Sequence, residues 1–330
     1  MNSFGRIFRV HIFGESHGEY VGLTIDGCPA GLPLSVDDFT ADIERRKPGA
    51  KGTTPRKEDD IPQIKTGLFN GKTTGAPITI LFENNNTRSA DYEKLRAVPR
   101  PGHADFVASA KFGGNEDYRG SGHFSGRLTV CSVAAGVIAK KILGAININA
   151  SILEIGGEVD LEKGLQKAID AKDSIGGIVE CKLNGLPVGL GEPFFDSAES
   201  LLSHAVFAIP AVKGIEFGSG FAAAKMFGSQ HNDALEDKTG KTFTNHAGGI
   251  VGGITNGNDL VFRIAIKPTS STPLEQQTLN IETNTLEGFS VKGRHDLCIA
   301  LRVPVILEAV TAFVLADLLL LEQKIPRIIH

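Results

Sequence analysis

Gly22-Leu-Thr-Ile-Asp-Gly-Cys-Pro-Ala-Gly-Leu-Pro33 and Gly177-Ile-Val-Glu-Cys-Lys-Leu-Asn-Gly-Leu-Pro187 repeat one pattern. Each is a short apolar strand leading into a Gly-Leu-Pro turn. Each then precedes an acidic stretch of helical spacing, Val36 to Arg46 in the first case and Ser197 to Phe207 in the second. A further echo sets Arg127 four residues before Cys131 and Arg294 four before Cys298. Apolar helices are expected after both, near Val133 to Leu143 and Val303 to Leu321. Together the echoes predict an α+β chain of two similar halves, about 1–170 and 171–330, fused into a single domain.

Around this repeat the periodicities are mixed. Ile7 to Phe13 alternates, with Phe8, Val10 and Ile12 on one face, as a half-buried strand does. Val21 to Asp26 continues the alternation across a short loop, which predicts a hairpin. Ser35 begins a helix with Asp38 three residues on, a variant of the capping box, and Pro48-Gly49 stop it. Leu260 to Ile266 is another alternating strand. Strands and helices do not alternate regularly, which disfavours a doubly wound parallel sheet. The apolar run from Val303 to Leu321 contains Glu308 and Asp317, so it reads as a core helix and not a membrane span.

Composition narrows the function. The 330 residues include 34 Lys and Arg against 38 Asp and Glu, a net charge of -4, which leaves no electrostatic footprint for nucleic acid. Any anion site must come from local clustering. With no tryptophan and three tyrosines, an aromatic platform for stacked bases is also disfavoured. Cys28, Cys131, Cys181 and Cys298 show no CxxC spacing, and the N-terminal residues lack the apolar stretch of a signal peptide. A cytoplasmic protein with no membrane partner is the expectation. Glycine is abundant, 39 of 330, and clusters beside polar residues, where it permits close backbone approach to a ligand.

Several of these clusters could carry chemistry. Gly14-Glu-Ser-His-Gly18 satisfies the G-x-S-x-G elbow of serine hydrolases, but that elbow needs a helix after it, and here a strand is expected. The loop is otherwise a polar hairpin tip, or it turns His17 toward a phosphate, which would favour the protonated ring and make it a proton donor. Arg45, Arg46, Lys47, Lys51, Arg56 and Lys57 either complement a helix dipole or form an anion clamp. Arg100-Pro-Gly-His103-Ala-Asp105 is a rigid turn presenting a second histidine. Asp117-Tyr-Arg-Gly-Ser-Gly-His-Phe-Ser-Gly-Arg127 places glycines and arginines just before an apolar helix, an arrangement suited to an anion. Lys267-Pro-Thr-Ser-Ser-Thr272 ends a strand with a cation and a row of hydroxyls, and Gly293-Arg-His-Asp296 joins a cation, an imidazole and a carboxylate. No HxxxH or HxH pair occurs among the nine histidines, so no metal site is expected.

In this order and spacing, the motifs resemble the chorismate synthase family over almost the whole chain. The residues that carry the likeness are Phe13-Gly-Glu-Ser-His-Gly18, Arg45-Arg-Lys-Pro-Gly49, Thr53-Thr-Pro-Arg56 and Arg100-Pro-Gly-His-Ala-Asp105. Asp117-Tyr-Arg-Gly120, Ser125-Gly-Arg127, Gly252-Gly-Ile-Thr-Asn-Gly257, Lys267-Pro-Thr-Ser-Ser271 and Gly293-Arg-His-Asp296 complete it.

The resemblance implies a β-α-β sandwich with internal pseudo-twofold symmetry, usually a homotetramer. It implies 1,4-anti elimination of phosphate from 5-enolpyruvylshikimate 3-phosphate to give chorismate, with reduced FMN required but no net redox change. By matching position, His17 protonates the leaving phosphate, His103 sits by the flavin, and Asp296 works with Ser16 at flavin N5. Arg46, Arg127 and Arg294 hold the substrate, with Lys51 and Arg100 as further candidates. The flavin contacts are Ser125, Gly126, Arg127, Gly252, Lys267, Pro268, Thr269, Ser270, Ser271 and Arg294. No inserted reductase segment is evident, which favours an external flavin reductase over direct use of NADPH. The sequence departs from the family at three places: His123-Phe124 stands where Arg-Ser is usual, Lys51 where arginine is, and Leu297 where a small residue is.

Overall fold

The computed structural model describes residues 2–54, 58–86, 92, 95–291 and 295–329. The expected hairpin is formed by β1 (Arg9–Gly14) and β2 (Tyr20–Asp26), with Arg9 opposite Asp26 and Gly14 opposite Val21. Phe8 and Val10 are buried as their spacing predicts. Ile12 packs against the core but is only partly buried, and it also lines a cavity. On its other edge β2 pairs antiparallel with β3 (Ile78–Glu83), and the two-residue strands Ser3–Phe4 and Gln63–Ile64 extend the sheet to five strands. Between β2 and β3 runs α1 (Thr40–Arg46), entered through a 3-10 turn at Val36–Phe39. The Asp38 carboxylate accepts from Ser35 N at 2.7 Å there, so the expected cap is present although the first turn is tighter than an α-helix.

After α2 (Asp105–Phe112) and α3 (Thr129–Leu143), the chain turns to a second sheet, four-stranded and antiparallel; it begins at Asn147, so the division between the two sheet-bearing halves falls before it and not near residue 170 as expected. The elements of this half are β4 (Asn147–Ile155), α4 (Leu161–Ala171), β5 (Gly177–Asn184), α5 (Ala198–Val206), β6 (Val212–Phe217), β7 (Leu260–Ile266) and α6 (Val303–Leu321). The order across the sheet is β6-β7-β5-β4. In both halves the strand of the Gly-Leu-Pro echo, β2 or β5, lies between the strand before it and a later strand, β3 or β7. A helix, α1 or α5, lies in the connection, and a long apolar helix, α3 or α6, follows. The halves differ where β1 passes to β2 by the Glu15–Glu19 loop, whereas β4 reaches β5 through α4.

The core helices sit between the sheets, α3 against the first and α6 against the second, so the layers form a β-α-β sandwich. Buried residues face them at alternate positions of β7: Leu260, Phe262, Ile264 and Ile266. Where α3 crosses α6, Gly136 lies against Ala309 so closely that no side chain fits on it. By length and composition the α6 segment could cross a membrane, yet its residues are almost all buried inside the chain. Its two carboxylates are satisfied internally. Glu308 accepts from Arg45 at 2.7 Å, Lys140 at 2.9 Å and Ala150 N at 3.1 Å. Burial alone would raise the Glu308 carboxyl, but the Arg45 and Lys140 cations outweigh it and hold it below its ordinary value. Asp317 accepts the backbone N–H groups of Arg6, Ile7 and Phe8 at 2.7–2.9 Å.

Candidate active site

A cavity of about 1100 Å³ opens where loops of the two halves meet beside α3 and α6. The first half contributes His17 from the β1–β2 loop, Arg46 from the end of α1, and the stretches around Arg100–Ala104 and Gly120–Thr129. The second half contributes Lys267, Thr269–Ser271, His295, Asp296 and Arg302. One end of the cavity is apolar, with Ile306, Val310 and Phe313 of α6 in its wall.

His17 is 8% exposed and meets the Tyr92 ring edge-on, with ring centres 5.3 Å apart. Gly120, at φ +58, packs directly on the imidazole. The chain follows with Ser121 (φ 68) and Gly122 (φ 50), a run of left-handed conformations that the glycines make accessible. Ser16 lies behind Gly120, fully buried, and does not line the cavity. Its Oγ has no hydrogen-bond partner among the described residues, so it forms no Ser–His pair. Since β2 and not a helix follows Gly18, the hydrolase elbow is absent.

Three arginines expected to meet substrate are largely engaged with the protein itself. Asp60, at φ 51 and 4% exposed, bridges the Arg46 and Arg127 guanidiniums. Arg46 also donates from Nε to Thr129 Oγ1 at 3.0 Å and from Nη2 to the carbonyls of Gly126 and Arg127 at 3.1 Å. Four of its five N–H groups are thereby committed to the α1–α3 junction. Burial, with the Arg302 and Arg127 cations nearby, pulls the Arg46 guanidinium down to about 9 despite Asp60. Arg127 donates to Asn84 Oδ1 at 2.9 Å and Glu83 O at 3.0 Å besides Asp60, which leaves part of its fork for the cavity. Arg100 is bound to Asp105 and also reaches Ser271 Oγ at 3.2 Å and Ser121 Oγ at 2.9 Å.

Lys267 Nζ donates to Gly102 O and to Ser270 Oγ, tying the hydroxyl row to the His103 turn. Burial and the neighbouring Lys213 lower the Lys267 ammonium. Thr54 N donates to Asp296 Oδ1 at 2.8 Å, and Arg302 Nη1 lies 3.4 Å from Oδ2. Beside it His295 is lowered by burial and by the Arg100 cation, despite Asp296, which favours its neutral ring.

Most of the residues expected from sequence line this one cavity: His17, His103, Asp296, Arg46, Arg100, Arg127, Ser125, Gly126, Lys267, Thr269, Ser270 and Ser271. Lys51 does not. It is exposed and turned to Gln166 Oε1 of α4 at 3.3 Å, because the loop after Pro48 runs over that helix. Gly252 is at the exposed tip of the hairpin joining Ile250–Val251 to Ile254–Thr255, and Pro268 faces outward from its strand end; neither lines the cavity. Arg294, Arg56 and Lys57 lie outside the described residues.

At the departures, His123 bonds Gly14 O at 2.9 Å and Asn2 Oδ1 at 3.1 Å, a structural tie across the cavity rim. Leu297 packs on the core and donates its N–H to Gly52 O.

Asp60, Asn84 and Arg302 were not anticipated. Asp60 could have been suspected from the Glu58-Asp-Asp60 run after a basic loop, and Arg302 as the single cation interrupting the apolar stretch from Ile299 to Leu321. Asn84 gave no signal beyond its polar neighbours.

The sequence model of the chorismate synthase family matches residues 8–320. The chorismate synthase of Chitinophaga pinensis is 71% identical to this chain over 329 residues, 99% of each. That of Methanocaldococcus jannaschii is 41% identical and covers 97% of this chain and 96% of its own. A crystal structure of chorismate synthase superposes with a TM-score of 0.73 at 26% identity, over 97% of this chain and 93% of that one.

Proposed function

The chain belongs to the chorismate synthase family of lyases in aromatic amino-acid biosynthesis, and from that premise we propose that it converts 5-enolpyruvylshikimate 3-phosphate to chorismate and phosphate with reduced FMN bound in the cavity. One observation carries this reading: His17, His103, Asp296 and the cations Arg46, Arg100, Arg127, Lys267 and Arg302 converge on a single cavity. A trianionic substrate beside a flavin phosphate needs such a concentration of positive charge in a protein of net charge -4.

The residues fit the flavin. Lys267, Thr269, Ser270 and Ser271, together with the Ser125–Arg127 turn at the start of α3, suit a phosphate, and the apolar end suits a fused ring. A volume of about 1100 Å³ exceeds that of most single-ligand pockets, roughly 300–1000 Å³, and admits substrate beside cofactor. When bound there, reduced FMN would supply electron density that no side chain can.

The chain's own groups handle protons and charge. His17 donates the proton that the departing phosphate takes up, and the anion beside it favours the protonated ring. Asp296 accepts the proton lost from the substrate ring on the oxygen positions that Thr54 N and Arg302 leave open. His103 keeps the charge balance beside the flavin. The outward parts of the Arg127 and Arg302 forks hold phosphate and carboxylate, while Arg46 holds the turn that presents Arg127. Each positioned acid or base is worth about 10²–10⁴-fold in rate.

The same reading makes the enzyme a cytoplasmic homotetramer that receives its FMN reduced by an external reductase, with NADPH as the ultimate reductant. Free, buried cysteines at all four positions support a reducing compartment. Phe194, Phe195, Phe221, Phe227 and Phe243 stand exposed in one segment and support a subunit interface.

The test is anaerobic turnover of 5-enolpyruvylshikimate 3-phosphate with dithionite-reduced FMN, followed by chorismate absorbance. Product is expected only with reduced flavin. Equal turnover with oxidised FMN, or none with both ligands bound, overturns the reading.

A further inference from the structure

Asp105 begins α2, and its carboxylate is shared by two residues just upstream. Oδ2 accepts from Arg100 N at 3.1 Å and Arg100 Nε at 2.7 Å; Oδ1 accepts from Arg100 Nη2 at 2.7 Å and lies 2.7 Å from His103 Nδ1. Burial would raise this carboxyl, but the bonds from Arg100 and His103 outweigh it and hold it well below the usual carboxylate range. Its place in the first turn of α2 favours the anion further. A nitrogen 2.7 Å from an ionised carboxylate carries its proton, so Nδ1–H donates to Oδ1. Arg100 Nη2, 3.1 Å from Nδ1, is a second donor drawn to the same oxygen.

With the Nδ1 proton committed to Oδ1, Nε2 is the ring nitrogen left to face Ser121 Oγ, 3.4 Å away in the cavity wall. The turn cannot swing freely. Pro101 and Gly102 (φ 69) fix its course, His103 N donates to Arg100 O, and Lys267 Nζ and Ser270 Oγ both donate to Gly102 O.

We propose that Asp105 is the positioning residue of His103: it selects the Nδ1–H tautomer and the tilt of the ring, so that Nε2 is the nitrogen presented to the cavity. The proposal rests on the reading of His103 as the group beside the flavin. Arg100 has two tasks here, since it keeps Asp105 ionised and joins that carboxylate to Ser271 and Ser121 on the facing walls.

Asp105→Asn preserves shape and removes the charge. Arg100 then claims the one amide oxygen and turns the amide nitrogen toward Nδ1, so the ring is protonated on Nε2 instead. Turnover with reduced FMN is expected to fall about 10²–10⁴-fold. Substrate KM and flavin Kd should stay within about threefold, and Asp105→Glu should recover part of the rate. In a His103→Ala background the same substitution should cost less than about threefold more, because the ring it acts through is gone.

A second readout needs no ligand. The wild-type protein should show a downfield imidazole N–H proton resonance, absent from both His103→Ala and Asp105→Asn. Independent, multiplying losses in the double variant, or a resonance that survives Asp105→Asn, overturn the proposal. Wild-type turnover in His103→Ala sinks the role of the ring and the proposal with it, even if the resonance attests the bond. Should Asp105→Asn fail to fold, a downfield signal that persists in His103→Ala belongs to another ring and also overturns it.

Discussion

A side chain on Gly120 would place its first carbon 2.5 Å from Nε2 of His17, so glycine and imidazole occupy adjoining space with nothing between them. The backbone there is left-handed, which penalises any other residue further. Gly120→Ala should therefore push the proposed acid out of line. Turnover is expected to drop by about 10²–10⁴-fold, as for loss of the acid itself, with flavin binding retained. Comparing kcat and flavin Kd with those of His17→Ala checks this; undiminished turnover in either variant removes His17 from the chemistry.

Asp60 is the only carboxylate bonded to Arg46 and Arg127 among the described residues. Asp60→Asn strands two buried guanidiniums without their counter-charge, which should lower stability by about 3–5 kcal/mol in urea unfolding. A change of under about 1 kcal/mol would mean that the arginines are neutralised by another route.

Lys51 and Arg302 separate positional likeness from geometry. Lys51, exposed in the loop over α4, should tolerate alanine with substrate KM changed by no more than about threefold. Arg302→Ala removes a cation in the cavity wall and should raise that KM about 10–100-fold. Steady-state kinetics on both variants distinguishes them, and the reverse ranking would restore Lys51 to the site.

Acid stability should depend on Glu308. Its folded-state value lies below the ordinary 4.5, so its contribution is present above that pH and is lost as pH falls through the lower, folded value. Glu308→Gln should be less stable than wild type at neutral pH. It should also lose less on further acidification, because the titrating partner of Arg45 and Lys140 is gone. Urea unfolding at neutral pH and at points below 4.5 tests the sign; parallel curves refute it.

Much of this was legible because strands and core helices announce themselves by period. Leu260 to Ile266 and Val303 to Leu321 coincide with β7 and α6, and the Gly-Leu-Pro echo fell on an inner strand of each sheet. The site was legible as a set of motifs but not as a division of labour. Sequence shows that Arg46 is basic; it does not show that Thr129, Asp60 and two carbonyls take four of its five donors. Lys51 and Gly252 illustrate the same gap, since a loop's direction depends on what it packs against. Ser16 adjoins His17 in sequence, yet is sealed from the cavity by Gly120.

The bonds from Asp317 to the N–H groups of residues 6–8 bear on how the protein is made. The first sheet can pack on α3 as soon as that helix is made, but the segment leading into β1 has no anchor until α6 emerges, and α6 is also the helix that the second sheet packs against. Folding must therefore finish after α6 has been translated. Until then the apolar face of the second sheet and the flank of α3 that α6 covers are open to other nascent chains, and a chaperone that shelters them would raise the yield of active enzyme more than one that accelerates any local step.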